Sequence, residues 1–195
     1  MPILRLLPRC KDYLWGGEKL RTDFGIQSDL NPLAEAWILS CHPSGPSLME
    51  NRGTLQQYID AHPGCLGTNC GKFKQFPILV KLIDSKDNLS IQVHPSDEYA
   101  LANEGESGKT EMWYVLDCEP RAYLYYDFFH EVSWEEILSR IQNNTLAEVL
   151  HAVSVHKGDN FFIPLVRFTP FAKGLWLRRF CRIPISPIGF MTMDA

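Results

Sequence analysis

No stretch of the 195-residue chain approaches the roughly 20 consecutive apolar residues that a membrane-spanning helix needs. The amino terminus, MPILRLLPRCKDYLWGG, has two prolines and scattered charges where a secretory signal would hold an uninterrupted apolar centre. Both gaps point to a cytoplasmic protein with no membrane partner. Positive charge is also scarce. Nineteen Lys and Arg against 23 Asp and Glu give a formal net charge of -4, without the basic patch or stripe that marks a nucleic-acid-binding domain. Cysteine pairs at metal-ribbon spacing are missing as well. The six cysteines stand at 10, 41, 65, 70, 118 and 181, and the closest two, Cys65 and Cys70, have four residues between them. Thiols scattered in this way in a cytosolic chain are expected to stay reduced. Internal repeats and low-complexity segments are lacking too. What is present is an ordinary globular composition, 45% hydrophobic and 22% charged, enough for one sizeable core or a core with an appended subdomain.

The first half reads as short extended segments. AEAWILSCH (34–42) and FPILVKLIDS (76–85) are rich in branched and aromatic residues and end in turn formers. Between them Thr54, followed three positions later by Gln57, is a capping-box signature that predicts a short helix. The segment HPGCLGTNCGKFKQ is a loop. LSIQVHP, KTEMWYVLD and RAYLYYDF follow as three strand-like runs separated by turns, so a β-sandwich or barrel is expected rather than a parallel α/β sheet. A helical insertion is predicted near 133–151. Ser133 caps WEEILSRI with Glu136 completing a second capping box, and Trp134, Ile137, Leu138 and Ile141 recur on one helical face. NNTLAEVLHAV is expected to restart a helix. In VHKGDNFFIP, Lys157 to Asp159 form a turn and Phe161 to Ile163 a strand.

Two of the strand-like runs carry polar groups in unusual pairs. Gln92 and His94 lie two residues apart in LSIQVHPSDEYA, as do Lys109 and Glu111 in GKTEMWYVL. Alternate residues of a strand project to the same face. If both faces turn into one small barrel, the four groups converge in its mouth. An imidazole, a carboxylate and an amide oxygen suit a divalent ion, zinc among them. The competing reading is a solvated strand face, which the ordered set of four disfavours because a buried carboxylate or lysine needs a partner.

IQVHP followed by GKTEMWYVL closely resembles the type I mannose-6-phosphate isomerases, zinc-dependent enzymes with a cupin core. WGG (15–17), AEAWILSCHPSG (34–45), VKLIDSKDNLSIQVHP and VHKGDNFFIP (155–164) agree with the same family, so the resemblance runs almost continuously over 1–164. It implies a mainly β fold, a cupin (double-stranded β-helix) barrel with a small helical insertion, incomplete at its carboxyl end. It implies Zn2+ as cofactor with Gln92, His94 and Glu111 as ligands, and Lys109 in acid–base chemistry. The implied reaction interconverts mannose 6-phosphate and fructose 6-phosphate through a cis-enediol, so the implied partner is a small sugar phosphate.

After Pro164 the resemblance stops. The family continues with a motif whose histidine is the remaining zinc ligand, then one whose arginine is a catalytic candidate. This chain reads LVRFTPFAKGLWLRRFCRIPISPIGFMTMDA, which is rich in arginine and proline and is expected to make a poor barrel strand. The codons of Phe168 to Phe171, read in a shifted frame, permit His-Ala-Ile, and those of Arg182 to Ala195 permit the second family motif. A one-base deletion near Pro164 to Leu165 would make 165–195 an out-of-frame tail and the chain an impaired isomerase. His151 and His156 are nearby, but neither sits in the expected motif. His156 reads as a surface-turn residue and His130 as a loop residue. Two other classes compete. A non-catalytic sugar-binding or regulatory cupin suits the lost motifs but not the retained four groups. An iron-dependent cupin dioxygenase wants two histidines and a carboxylate, and Gln92 argues against it.

Overall fold

The structure, a computed structural model, describes residues 3–50, 53–71, 73, 75–88, 96–103, 110–164 and 174–182. In chain order the strands are β1 (Leu6–Leu7), β2 (Arg9–Lys11), β3 (Glu35–Leu39), β4 (Leu48–Met49), β5 (Gly53–Thr54), β6 (Ile78–Ser85), β7 (Glu111–Cys118), β8 (Tyr123–Phe128), β9 (Leu150–Ser154), β10 (Asn160–Ile163) and β11 (Leu175–Arg182). Among the described residues four short α-helices accompany them: α1 (Lys19–Thr22), α2 (Leu55–Ala61), α3 (Asp97–Asn103) and α4 (Trp134–Gln142). Among the described residues no helix is long and apolar enough to cross a membrane. No disulfide links the six cysteines.

The architecture is mainly β. Six antiparallel strands form one sheet in the order β10-β7-β11-β6-β3-β2, accompanied by an antiparallel β8-β9 pair and a small β1-β4-β5 sheet. Strand β6 is buried along nearly its whole length, as its near-continuous run of large apolar residues requires of a strand covered on both faces. Its odd-numbered residues face inward. Ile83 joins Trp113, Val115, Leu175 and Leu177 of neighbouring strands, and Ala122, Leu124 and Val155 from the β8-β9 region close over them. The even-numbered face is covered differently, by Leu20 of α1 and by Leu33 packing on Ala36 and Leu82. Here the WGG stretch has a physical reason. A Cβ on Gly16 would lie 2.6 Å from Ala34, and one on Gly17 would lie 2.5 Å from the Asp84 carboxylate, so only glycine allows this close approach.

The capping box at α2 forms as expected, with Thr54 Oγ1 accepting from Gln57 N and Gln57 Oε1 accepting from Thr54 N. The insertion differs from expectation in three ways. Ser133 caps α4, but the reciprocal half of the box does not form, because the Glu136 carboxylate instead accepts from Arg140 Nε at 2.7 Å. Ile137 and Ile141 pack with Leu146, Val149 and Leu150, whereas Trp134 and Leu138 are exposed. The predicted second helix is a single 3-10 turn, Leu146–Val149, which runs straight into β9.

The largest correction concerns the tail. Leu175–Arg182 is a central strand, hydrogen-bonded to β6 on one side and β7 on the other. The segment does alternate. Leu175, Leu177, Arg179 and Cys181 are buried on the inner face, and Arg179 breaks the apolar pattern only until its partner is seen. This packing counts against an out-of-frame origin for these eight residues. The rest of the tail lies outside the described residues.

Candidate functional site

Four strands bring a charged row to the inner face of the sheet. The register aligns Trp37 of β3 with Lys81 of β6, Lys81 with Arg179 of β11, and Arg179 with Trp113 of β7. Two residues before each tryptophan, and therefore on the same face, stands a glutamate: Glu35 and Glu111. Both are buried, with 5% and 1% of their surface exposed, so each carboxylate needs charge and hydrogen-bond partners.

Each has them. Trp37 Nε1 donates to Glu35 Oε2 at 2.7 Å, and Lys81 Nζ donates to Glu35 Oε1 at 2.7 Å. Burial alone pushes the Glu35 carboxyl upward. The Lys81 charge and hydrogen bond, the Trp37 bond and the more distant Arg179 together outweigh it and hold the group below its ordinary value. Around Glu111, Trp113 Nε1 donates to Oε2 at 2.8 Å, Arg179 Nη1 to Oε1 at 3.4 Å and Cys181 Sγ to Oε1 at 3.1 Å. Arg179 Nε lies 3.2 Å from Oε2, and its guanidinium carbon sits 4.9 Å from the Trp113 ring centroid. Lys81 and Arg179 face each other directly across β6 and β11. Two like charges so placed repel, and the flanking carboxylates offset that repulsion.

The opposite face of the sheet holds one buried carboxylate of different character. Asp84 accepts from Lys19 N at 2.7 Å and from Trp176 Nε1 at 2.6 Å. Burial is the largest influence on it and raises its carboxyl above the ordinary value despite those bonds. Lys19 Nζ lies 3.6 Å above the Trp176 ring centroid, where it interacts with the ring rather than neutralising Asp84 at contact.

Of the residues singled out from the sequence, Gln92, His94 and Lys109 lie outside the described residues. Glu111 is inside them, buried and inward-facing. His156 is exposed in a turn, with its ring 3.6 Å from Asp159, and His130 and His151 are exposed. Among the described residues no three His, Cys, Asp or Glu side chains gather as a metal-binding group. Glu111 itself tests the expected zinc site. A carboxylate offers about four lone-pair positions, and here three hydrogen-bond donors and the Arg179 Nε contact already surround its two oxygens. So arranged, Glu111 does not fit a metal ligand.

Sequence reasoning missed Glu35, Lys81 and Arg179. A signal for the first was available, because Glu35-Ala36-Trp37 and Glu111-Met112-Trp113 repeat one Glu-x-Trp pattern. Nothing local marks Lys81 or Arg179 as their partners.

Residues 3–123 match the family described as phosphomannose isomerase type I, catalytic domain. The chain is 39% identical over 176 residues to the probable mannose-6-phosphate isomerase GmuF of Bacillus subtilis (strain 168), covering 88% of this chain and 55% of the relative. The crystal structure of mannose 6-phosphate isomerase from Bacillus subtilis superposes with a TM-score of 0.85 at 32% identity, covering 94% of this chain and 59% of that one. A mannose 6-phosphate isomerase solved with zinc and yttrium bound shares the fold at a TM-score of 0.71 and 17% identity, covering 96% of this chain and 72% of that one. The mainly β fold is therefore the cupin barrel expected from the sequence. The chain spans little more than half the length of GmuF and of three other curated mannose-6-phosphate isomerase relatives.

Proposed function

Because the chain belongs to the type I phosphomannose isomerases, we propose that it descends from an enzyme interconverting mannose 6-phosphate and fructose 6-phosphate, and that as written it is impaired. The observation that carries this reading is the burial of Glu111, the glutamate of the GKTE motif, on the inner face of the barrel within the matched residues. The reaction moves one proton between C1 and C2 through a cis-enediol and another between the two oxygens. Lys109, two residues before Glu111 in sequence, is the proposed acid–base residue. An ammonium there has two available roles, charge stabilisation of the enediolate or, with its pKa lowered by burial, proton transfer. Gln92, His94 and Glu111 are the proposed zinc ligands of the lineage. The missing histidine and arginine motifs after Pro164 are the reason for impairment in this chain, and the Arg179 contact to Glu111 adds to it.

The shifted frame belongs to the same proposal. Its support is the pair of family motifs permitted by the codons of 165–195, and the well-paired strand β11 weighs against it. A coupled assay for fructose 6-phosphate formation tests both. The 195-residue chain should show negligible turnover. A version with one base inserted after the Pro164 codon and the downstream codons supplied should show turnover that a chelator abolishes. Robust turnover by the short chain overturns the impairment, and none by the restored chain overturns the isomerase reading. The occupied Glu111 favours one second reading, a non-catalytic sugar-phosphate-binding cupin. That reading predicts thermal stabilisation by mannose 6-phosphate without conversion.

A further inference from the structure

We infer that Arg179 acts as a built-in counter-cation that closes Glu111 to divalent metal, so that this chain folds without zinc and gains a zinc site when the guanidinium is removed. The inference rests on the reading above that Glu111 faces the metal position of the family.

The charge is already balanced without metal. Arg179 has 2% of its surface exposed and Glu111 1%, and both oxygens of the carboxylate touch the guanidinium at 3.2 and 3.4 Å. A divalent ion bound to Glu111 would sit against this buried cation, where repulsion is weakly screened. It would also have to displace a donor, because Trp113 and Cys181 hold the remaining sides of the carboxylate. Arg179 cannot relieve the conflict by losing a proton, since a guanidinium stays charged in proteins. Nor can it swing into solvent cheaply. Register places it between Lys81 and Trp113 on a central strand, and its guanidinium rests on the Trp113 ring. Arg179 also lies beyond residues 3–123, where the family match ends.

The test uses zinc itself as the probe, followed by calorimetry and by thermal unfolding with and without the ion. The chain as written should bind no stoichiometric zinc through Glu111, and its unfolding temperature should not respond to zinc. Arg179→Leu should gain one stoichiometric zinc where the original chain binds none. Removing Arg179 also leaves Glu111 buried without its cation, which destabilises the fold. Arg179→Gln, which keeps a donor beside the carboxylate, therefore serves as the second variant. For both, zinc should restore lost thermal stability. The double variant Glu111→Gln/Arg179→Leu should lose the site, which separates it from zinc held by the cysteines. Zinc bound by the chain as written and lost in Glu111→Gln overturns the inference while leaving the metal reading intact. Failure of both Arg179 variants to gain zinc also overturns it. In that case the chain restored past Pro164 decides the metal reading separately, by whether it binds zinc through Glu111.

Discussion

Glu35 and Glu111 occupy the same local pattern on the same face of one sheet, yet their charges are balanced in different ways. Lys81 meets Glu35 with one short contact, 2.7 Å, from a compact ammonium. Arg179 lies along both oxygens of Glu111 at longer range, and Cys181 adds a third donor residue. Glu35, Trp37 and Lys81 lie within residues 3–123, which match the family model, and Arg179 and Cys181 lie beyond that span. A buried carboxylate on a central strand must be neutralised, because leaving it bare in a low-dielectric interior costs several kcal/mol (about 3–5 when a partner is removed). The neighbouring strand supplies a lysine at the first site and an arginine at the second. The first site is a closed structural pair. At the second, an arginine meets the carboxylate proposed above as a metal ligand of the lineage.

The strongest way to break the comparison is to remove the cation from the closed pair. Lys81→Met should destabilise the chain by about 3–5 kcal/mol, because it leaves Glu35 charged, buried and held only by Trp37. The double variant Lys81→Met/Glu35→Leu should recover most of that loss, since an apolar pair of similar volume commonly matches a buried ion pair. Urea denaturation read by tryptophan fluorescence measures both. A double variant as unstable as the single one would show that the pair contributes packing rather than charge balance.

The pattern of strands was legible in the sequence where apolar alternation is local. β3, β6 and β8 fall inside the expected runs, β7 overruns its own by one residue, and α2 starts at its expected cap. What local pattern cannot supply is which strands are neighbours. Period-2 alternation assigns a residue to a face, but the meeting of Lys81 with Glu35 needs β3 beside β6, and that of Arg179 with Glu111 needs β11 beside β7. Without the partner strand an arginine in LWLRRFCR reads as a solvent-facing charge, which is why β11 was expected to be a poor strand. The missing half of the α4 capping box has a similar cause. Glu136 can reach either the helix start or Arg140 one turn later, and the ion pair four residues away takes it. Of the candidate site, one carboxylate, Glu111, can be placed.

A smaller effect sharpens the comparison through the two tryptophans. Trp37→Phe and Trp113→Phe each remove one hydrogen bond to a buried carboxylate, a contribution of about 1.5–3 kcal/mol for charged acceptors. Trp37→Phe should fall at the upper end, because Lys81 is then the remaining strong partner of Glu35. Trp113→Phe should fall at the lower end, because Arg179 and Cys181 still hold Glu111. The reverse order in paired denaturation curves would mean that Glu111 depends on its tryptophan more than on its arginine.

The smallest expected effect is a coupling between the two sites, visible in the acid limb of the stability curve. Glu35 has a folded-state pKa below its unfolded value, so its stabilisation is fully present above the unfolded value, about 4.3 for glutamate. It is lost as pH falls through the depressed folded value. Asp84 has the opposite sign. Its folded pKa is raised, so its burial works against folding above that value and ceases to do so as the group protonates. The two act on the acid limb with opposite signs, and Lys81→Met should flatten the part that belongs to Glu35. Arg179 also lowers the Glu35 carboxyl, but it is the weakest of the named influences. Arg179→Gln should therefore move the folded Glu35 pKa only slightly upward, toward its unfolded value. Less stability then remains to be lost on acidification, and the Glu35 part of the limb becomes slightly shallower. Denaturation midpoints measured from neutral pH to about pH 3 on the original chain, Arg179→Gln, Glu35→Gln and Arg179→Gln/Glu35→Gln isolate that part. If the Glu35→Gln substitution changes the limb equally with and without Arg179, Glu35 titrates independently of Arg179, and the charged row across β3, β6, β11 and β7 is two separate pairs.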